Sequence, residues 1–589
     1  MILAILNLIA FAQRQDVNSL SSSQQTTLAC NLKTLLDNYH EDLIHRHIAT
    51  TIHTTDNFFV WHRFYIHRIE KYLHSNFNIT SFESSPEPYW NPLNQIPNAF
   101  FNTGAGGVPA CDRANNIPSG VHAATFTALQ FQNINTTAGG LSGRFNNSFN
   151  GITTKQFYNN VANSQTYTCQ FNSRSLLTNF IGPTAGHHGN VHLAIGGCLG
   201  GNFHEAPAST LFSVWHSYLD KVWHDWECNC EQISGSDLYI PDSENDDDMT
   251  STTHNGIDMG YEPNEAPPTY PMWISQDIWI RNQQDGIEYQ EHENPEYQTG
   301  KTVYVYVRVR NRGCSVSGGN EELKLYWAKA NTALDWPNAW NGTNVLCTNS
   351  SGGQIGAAQT VTPLQPEGYK IYVFEFTLPK PSDYTCVGDI NHFCLLARIT
   401  DVAKANDGMT FPETTDIYSN VRNNNNIAWK NISILDDQPN LKMWTTNILI
   451  AKSEISRNEI TRIVFRVPFT LSKHREATDI LRYGKVAIKL DRKLFEAWKQ
   501  AKNDTLKGIK VDKDGVMTIL KNNVEIPVVL KRNETYTFKI MVLKPKKLPR
   551  YLPEMKFDIF QLNGKKVVGG QRFIIPINKY KTLKDMGKK

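Results

Sequence analysis

The sequence predicts a multidomain protein, in which a mainly α-helical domain with a four-helix bundle precedes two β-rich, sandwich-like domains. Three observations lead to this prediction. The chain has 589 residues, whereas one domain typically has about 150. Its first 230 residues carry histidines at helical spacing. Its later part contains runs in which apolar and polar residues alternate, as they do in strands.

The helical part is defined by its histidines. They fall in three segments, 53–70, 188–192 and 212–220. His188 and His192 are four residues apart, so both rings lie on one face of a helix and can share one ion. Two separated histidine clusters indicate two metal ions. Because no cysteine or acidic ligand set accompanies the histidines, the pattern favours copper over the zinc of proteases or carboxylate-bridged iron.

Five histidines are predicted ligands, and the sixth must be chosen among three neighbours. The five are His53, His62, His188, His192 and His216. His40, His45 and His47 lie on one predicted helical segment, 39–51. His47 shares an apolar stripe with Leu43, Ile44 and Ile48, whereas His45 points away from it. We therefore predict His47 as the sixth ligand, and His45 remains the alternative.

One signature resembles a known family. It comprises His53, Phe58, Phe59, Trp61, His62, Arg63 and Glu70, followed in order by Pro88-Tyr89-Trp90, Gly196-Gly197, Asp220, Trp223 and Trp226. Over about residues 14–230 the chain resembles tyrosinases, catechol oxidases (polyphenol oxidases) and molluscan haemocyanins, the type-3 dicopper proteins. The resemblance implies two copper ions, each held by three histidines, with dioxygen and a small phenol as partners.

Further site residues follow from this resemblance. Phe203 matches a phenylalanine that restricts the substrate in plant catechol oxidases, although simple packing is an equally good interpretation. Asp220 and Arg63 are candidates for orienting the ligand imidazoles, with an ordinary buried ion pair as the alternative. Gly189 stands where monophenol-hydroxylating members often carry Asn, and Asn179 stands where a water-holding Glu is expected.

These departures favour one activity within the family. We expect copper-dependent oxidation of o-diphenols to o-quinones by dioxygen, with aminophenols and monophenols as further candidate substrates. The alternatives are a reversible dioxygen carrier of the haemocyanin type and a latent proenzyme whose site a carboxyl-terminal domain covers. A single copper region beside two unlike β domains favours the enzyme over the carrier.

Composition divides the chain into five segments. Residues 1–12 resemble a secretory signal, 13–235 form the dicopper domain, and 236–271 form an exposed, acidic and Pro-rich linker. The acidic run 242–248 is more typical of a solvated linker than of a calcium site. A β-sandwich domain over 272–436 and a Lys-rich β domain over 437–589 complete the chain.

Strand patterns carry the prediction of the β domains. From Val303 to Arg310 valines alternate with tyrosines and arginines, which predicts a half-buried strand. Further strands are expected over 369–378, 393–399 and 427–434. The carboxyl-terminal domain should contain hairpin turns at 514–515 and 563–564 and a short helix near 494–501.

Cysteines and charge bound the protein's surroundings. Six cysteines lie in the copper region and four in the middle domain, and even counts in both favour disulfides within each domain. Together with the signal-like segment they predict a secreted or periplasmic protein. The balance of 58 basic and 56 acidic residues offers no support for nucleic-acid binding, and no apolar run is long enough for a membrane span.

Overall fold

A computed structural model describes most of the chain. The described residues are 14–47, 57–77, 87–100, 148–149, 151–163, 171, 173–182, 186–195, 206–230, 235–242, 260–264, 271–285, 292–330, 334–387, 390–434, 443–451, 461–467, 480–501, 507–531, 535–543, 554–563 and 566–576. The signal-like segment 1–12 lies outside them.

Helices dominate the amino-terminal region. They are α1 (Ser22–His47), α2 (Asn57–Phe77), α3 (Thr154–Asn163), α4 (Arg174–Ile181), α5 (His187–Ile195) and α6 (Thr210–Cys230), with a two-stranded hairpin of β1 (Ser148–Phe149) and β2 (Ile152–Thr153). The helix expected over 39–51 belongs to α1, which begins earlier, at Ser22. The helical content agrees with the predicted dicopper domain.

The core of this region is unusually aromatic. Trp90, Trp215, Trp223 and Trp226 are all fully buried and belong to one apolar cluster, which also takes in the inner faces of α1, α2 and α6. The indole of Trp226 donates a hydrogen bond of 2.8 Å to the carbonyl of residue 171. Such large side chains supply much of the apolar area that α2 and α6 bury against each other.

The middle β region, residues 235–434, is built from two antiparallel sheets. Its strands are β3 (Leu238–Tyr239), β4 (Ile278–Arg281), β5 (Thr302–Asn311), β6 (Glu322–Lys329), β7 (Val345–Leu346), β8 (Asn349–Ser350), β9 (Gly352–Gln354), β10 (Gln359–Thr360), β11 (Tyr369–Thr377), β12 (His392–Thr400) and β13 (Ile427–Ser433), and a short helix, α7, spans Ile417–Asn423. In one sheet the strand order is β11-β5-β3, and β4 also pairs with β5. In the other sheet the order is β10-β6-β12-β13, and β9 also pairs with β6. Strands lie where alternation predicted them, at 369–378, 393–399 and 427–434.

The prediction of a half-buried β5 is wrong, because its polar face is buried as well. Val305 and Val307 enter the core between the sheets, as expected. On the other face Arg308 and Arg310 are also buried, and both bind the carboxylate of Asp277 at 2.6 Å. Alternation identified the strand correctly, but it gave no information about an acidic partner 31 residues away.

The ends of the predicted linker 236–271 are not exposed. Leu238 and Tyr239 form β3 and pair with β5, and Ile240 is fully buried. Asp242, the first residue of the acidic run, is also buried, as is Asn264. A short strand can pair through its main chain without any compositional signal, so the linker prediction began too early. Residues 243–259 and 265–270 lie outside the described part of the chain.

The carboxyl-terminal β region, residues 443–576, is a second pair of antiparallel sheets. Its strands are β14 (Met443–Ala451), β15 (Thr461–Arg466), β16 (Lys485–Leu490), β17 (Ile509–Val511), β18 (Val516–Ile519), β19 (Val524–Val528), β20 (Thr535–Leu543), β21 (Glu554–Asn563) and β22 (Lys566–Pro576), with helices α8 (Ile480–Tyr483) and α9 (Arg492–Gln500). The sheet orders are β14-β20-β16-β18-β17 and β19-β15-β21-β22. Both predicted hairpins occur, and the predicted helix is α9, which Asp491 caps.

Apolar contacts join the two β regions. Trp273 and Trp429 of the middle region share a buried cluster with Phe560 and Leu562 of the carboxyl-terminal region. Gly570 makes the close approach possible, because a Cβ there would lie 2.4 Å from the indole of Trp273. A side chain at this position would therefore push the two regions apart.

The disulfides depart from the expectation that they stay within domains. Cys228, at the end of α6, is bonded to Cys314, which follows β5. Cys347 and Cys386 form a disulfide inside the middle region, whereas Cys394 has a buried thiol that donates a hydrogen bond to Oδ1 of Asn431 at 3.0 Å. Cys30 and Cys230 each take part in a disulfide as well. Counting cysteines by segment could not detect a bond that crosses between segments.

Asp277 should make the protein sensitive to acid. Burial alone would raise the pKa of this carboxyl, but Arg308 and Arg310 outweigh burial and lower its pKa to about 2. An unfolded Asp has a pKa of about 3.9, so the charged pair contributes on the order of 2 kcal/mol above that pH and loses it as the pH falls towards 2.

We predict that Asp277→Asn destabilises the protein by about 3–5 kcal/mol near pH 6, because two buried arginines lose their partner. The difference from wild type should shrink as the pH falls from about 5 towards 2. Urea unfolding at several pH values measures both effects. Glu375→Gln, at an exposed position of β11, is the control and should change neither. A pH-independent difference for Asp277→Asn would contradict the prediction.

Candidate metal centre

Two glycines bring α4 and α5 together at the start of the histidine helix. Gly182 ends α4 with a φ of +60°, and its Cα lies so close to Gly186 that a Cβ on either residue would approach the other's Cα to 2.3–2.4 Å. Only hydrogen fits in this space. The tight corner sets where α5 begins and therefore where His188 lies.

Three histidines converge inside the helical region. The Nε2 atom of His188 lies 2.8 Å from Nε2 of His192 and 3.2 Å from Nε2 of His216. All three side chains are buried, and together they form a group that can hold a metal ion. His62 stacks on His216 with ring centroids 4.7 Å apart, and it is also buried. The structure thus brings together four of the six predicted ligands.

Main-chain carbonyls determine how two of these rings are oriented. Nδ1 of His62 donates to the carbonyl of Phe58 at 2.6 Å, and Nδ1 of His216 donates to the carbonyl of Phe212 at 2.8 Å. A carbonyl can only accept, so the proton of each neutral ring sits on Nδ1 and the lone pair on Nε2. In His216 this lone pair faces the other two histidines. Converging lone pairs repel one another, and a cation among them removes the repulsion, so the donor set fits a metal such as copper.

Aromatic side chains enclose the histidines. Phe58 lies 4.5 Å from the ring of His62 and 5.0 Å from that of His188, measured between centroids. Phe212 covers His216 at 3.8 Å. This apolar wall limits access of water to the ring nitrogens and favours neutral imidazoles over charged ones.

His187, beside His188, belongs to a different environment. Its Nδ1 lies 3.0 Å from the hydroxyl of Thr154, which also accepts a hydrogen bond from the amide of Asn190. Its ring stacks on Phe157 at 4.8 Å, and burial lowers its pKa to about 4. The helix therefore presents His188 to the other histidines and His187 to a packed aromatic layer.

The described contacts of Arg63 and Asp220 do not include the rings of His62 and His216, so they do not have the expected orienting role at those two rings. Asp220 binds Arg63 on α2 and also Arg14, the latter at 2.7 Å. Arg63 in turn binds Glu227 at 2.9 Å and lies 3.9 Å above the ring of Trp223. The alternative interpretation, a buried ion pair, describes what the structure shows. Main-chain carbonyls supply the ring hydrogen bonds that a carboxylate was expected to supply.

Glu87 is a buried acid that the sequence did not single out. Its carboxyl accepts hydrogen bonds from Ser213 and Ser217, which flank His216 on the neighbouring face of α6. Burial raises its pKa to about 8, and the nearby charge of Glu70 adds to the effect. The sequence feature that could have drawn attention to Glu87 is its position directly before Pro88-Tyr89-Trp90. Glu87 helps to hold α6 against the segment that carries Trp90.

The remaining predicted residues divide into two groups. His53 and Phe203 lie outside the described part of the chain. His47 is the last residue of α1, and its side chain also lies outside the described part. Gly189 is buried on α5, and Asn179 is exposed on α4. A base at position 179 would therefore point to solvent, so the match of Asn179 to a water-holding Glu has no structural support.

Comparison with known families decides the assignment of this region. Residues 21–229 match the model of the common central domain of tyrosinase. Residues 21–229 belong to the tyrosinase family. The match confirms the resemblance over about residues 14–230, and it places the three converging histidines in a family whose metal is copper. None of the curated proteins matches the chain by sequence.

Several solved structures are similar to parts of this chain at low identity. A variant of polyphenol oxidase from Thermothelomyces thermophila shares 18% identity over 37% of this chain and 71% of its own, with a TM-score of 0.25. A crustacean hemolymph-type prophenoloxidase shares 12% identity over 44% of this chain and 47% of its own, with a TM-score of 0.14. A CARDB domain from Pyrococcus furiosus, in complex with di-metal ions, shares 14% identity over 27% of this chain and 92% of its own, with a TM-score of 0.15.

The two neighbouring histidines of α5 should differ in their effect on copper. We predict that His188→Ala lowers the amount of copper bound by the loaded protein, because a converging donor is lost. His187→Ala should leave the copper content unchanged and lower the thermal stability, because it removes packing against Phe157. Metal analysis and thermal unfolding measure the two effects. Equal copper loss in both variants would mean that the helix register at the metal is not the one described.

Proposed function

We propose that this protein uses two copper ions to oxidise o-diphenols to o-quinones with dioxygen. The observation that carries the proposal is the convergence of His188, His192 and His216, with His62 stacked on it, inside a tyrosinase-family domain. The proposed ligands are these four, His53 and His47. Phe203 is proposed to restrict the substrate at the entrance.

Copper in such a site would bind dioxygen and pass electrons from the phenol ring to it. The chain's own residues hold the donors for that chemistry. The carbonyls of Phe58 and Phe212 keep the protons of His62 and His216 on Nδ1, so that Nε2 stays free to donate. Phe58 and Phe212 also exclude water from the donor atoms. Arg63 and Asp220 act as positioning residues, because they join α2 to α6 and so keep His62 against His216.

The site favours diphenols over monophenols. A monophenol has a pKa of about 10 and must lose its proton to coordinate a metal well, and general-base assistance is typically worth about 10²–10⁴-fold. Gly189 offers no side-chain acceptor, and the exposed Asn179 cannot serve the buried histidines. A catechol is easier to oxidise and needs no prior hydroxylation, so the missing base penalises it less.

The proposed setting is outside the cytoplasm. Disulfides such as Cys228–Cys314 and Cys347–Cys386 form and persist in oxidising compartments, which supports a secreted or periplasmic protein. In the described residues no helix has the length and apolar character of a membrane span. We further propose that the copper domain occupies 13–235 and that the two β domains occupy 272–436 and 437–589.

Oxygen uptake by the copper-loaded full-length protein tests the proposed activity. We predict rapid uptake with a catechol and much slower uptake with the matched monophenol. Gly189→Asn should raise monophenol turnover relative to catechol turnover, because it adds an acceptor beside His188. Leu193→Asn places the same side chain on the exposed face of α5, where Leu193 is 60% exposed, and it should leave the ratio unchanged.

Two outcomes would count against the proposal. Wild-type protein that hydroxylates the monophenol as fast as it oxidises the catechol must contain a base that the described residues do not provide. Protein that binds dioxygen reversibly and consumes none with either substrate would instead be a carrier.

The sixth ligand can be decided by a pair of variants at the end of α1. We predict that His47→Ala lowers the copper content by one ion per chain, because the sequence places His47 on one apolar stripe with Leu43, Ile44 and Ile48. His45→Ala is the matched control and should leave two ions bound. The reverse result would show that α1 presents its other face to the metal.

A further inference from the structure

The near-neutral total charge hides a strong asymmetry along the chain. Residues 437–589 contain 34 Lys and Arg against 15 Asp and Glu, a net charge of +19. The preceding 436 residues contain 24 against 41, a net charge of −17. A positive charge of this size concentrated in one region attracts polyanions, especially at low salt.

Part of this charge is arranged on one sheet face. Lys485, Lys489, Lys510 and Lys539 are exposed residues of the sheet β14-β20-β16-β18-β17, and we refer to them as the lysine face. The residues that alternate with them are buried in the sandwich core, including Val486, Ile488, Phe538 and Ile540. All four ammonium groups therefore project from the outer side of the same sheet.

Two of these lysines lie directly opposite each other. Lys489 on β16 is the cross-strand partner of Lys539 on β20, and both strands are inside the sheet. Directly opposed residues have Cβ atoms about 4.5–5.5 Å apart, and like charges at this spacing are destabilising. The nearest outward neighbours are uncharged: Ala487, Met541, Val516 and Thr518. The pair is a cost to the fold that an anionic partner would offset.

The opposite sheet of the same sandwich is different. There the exposed sides of the strands pair their charges, Arg466 with Asp558 at 3.0 Å and Arg462 with Glu525 at 3.5 Å. The same sheet contributes Val464 and Phe560 to the contact with the middle region. The lysine face therefore lies on the side of this sandwich opposite to the residues that contact the middle region. Three acids lie at its margin. Asp491 caps α9 and binds Thr537. Asp512 accepts main-chain hydrogen bonds within the turn between β17 and β18, which also contains Asp514.

We propose that the lysine face binds an acidic polysaccharide bearing carboxylate or sulfate groups. Lysine ammonium groups act as point charges rather than as bidentate readers of phosphate or base edges. The face has no aromatic residue among its described members on which a nucleic-acid base could stack, and no protruding element to enter a groove. Its described uncharged neighbours are Ala487, Met541, Val516 and Thr518, and none of them is one of the aromatic side chains that insert into a lipid interface. A flexible polyanion can follow a flat row of charges without any of these features.

Binding of the full-length protein to four probes tests the proposal. The probes are heparin for sulfate groups, polygalacturonate for carboxylate groups, duplex DNA and vesicles rich in phosphatidylserine. We expect the tightest binding to one of the two polysaccharides, with an affinity that falls steeply as salt rises. The double variant Lys489→Gln with Lys539→Gln should weaken it about tenfold or more, because two charge contacts are lost.

A charge-matched control separates the face from the net charge. Lys370→Gln with Lys380→Gln removes two exposed lysines of the middle region and should weaken binding less than about twofold. The Lys489/Lys539 variant should unfold at the same temperature as wild type or higher, because a like-charge pair is removed. Equal losses in both double variants, or tighter binding to DNA or vesicles than to either polysaccharide, would overturn the proposal.

Discussion

The helical region depends on a carboxylate that lies between two arginines. Asp220 of α6 binds Arg63 of α2 and also Arg14, and all three side chains are buried. Burying these charges is expensive, and removing Asp220 would leave two buried arginines with only Glu70 and Glu227 as ion-pair partners within this group. The chain can satisfy them only when residue 14, α2 and α6 meet in one arrangement. In that arrangement the rings of His62 and His216 stack, so the geometry of the metal centre depends on an ion pair that touches neither ring.

The network of ion pairs around Arg14 and Arg63 continues to residues of the middle β region. Glu227 accepts a hydrogen bond from Tyr261 at 2.7 Å in addition to binding Arg63. Glu367, in the turn before β11, lies 3.5 Å from Arg14. Burial, followed by the charge of Arg310, lowers the pKa of His67 on α2, which shows how near the polar face of β5 lies to that helix. The β region is thus joined to the helices through buried polar contacts as well as through the Cys228–Cys314 disulfide.

Prediction from sequence succeeded where the signal is local and failed where it is distant. The spacing of His188 and His192 predicts that they share a helix face, and the alternating valines predict the strand β5. Asp220, one of the acidic partners of both arginines, lies 206 residues from Arg14 and 157 residues from Arg63. Glu87 reaches Ser213 across 126 residues. No periodicity encodes such contacts, so the orienting role assigned to Asp220 and the exposed face assigned to Arg308 both failed for the same reason.

The bond between Cys228 and Cys314 changes what cleavage of the chain can achieve. A protease that cut between residues 243 and 259 would break the polypeptide, but the helical fragment and the β fragment would remain covalently attached through this bond. The nicked protein would migrate as one species until a reductant was added. Release of the helical fragment by proteolysis alone is therefore impossible at these sites, and shedding would require thiol exchange as a second, chemically independent step.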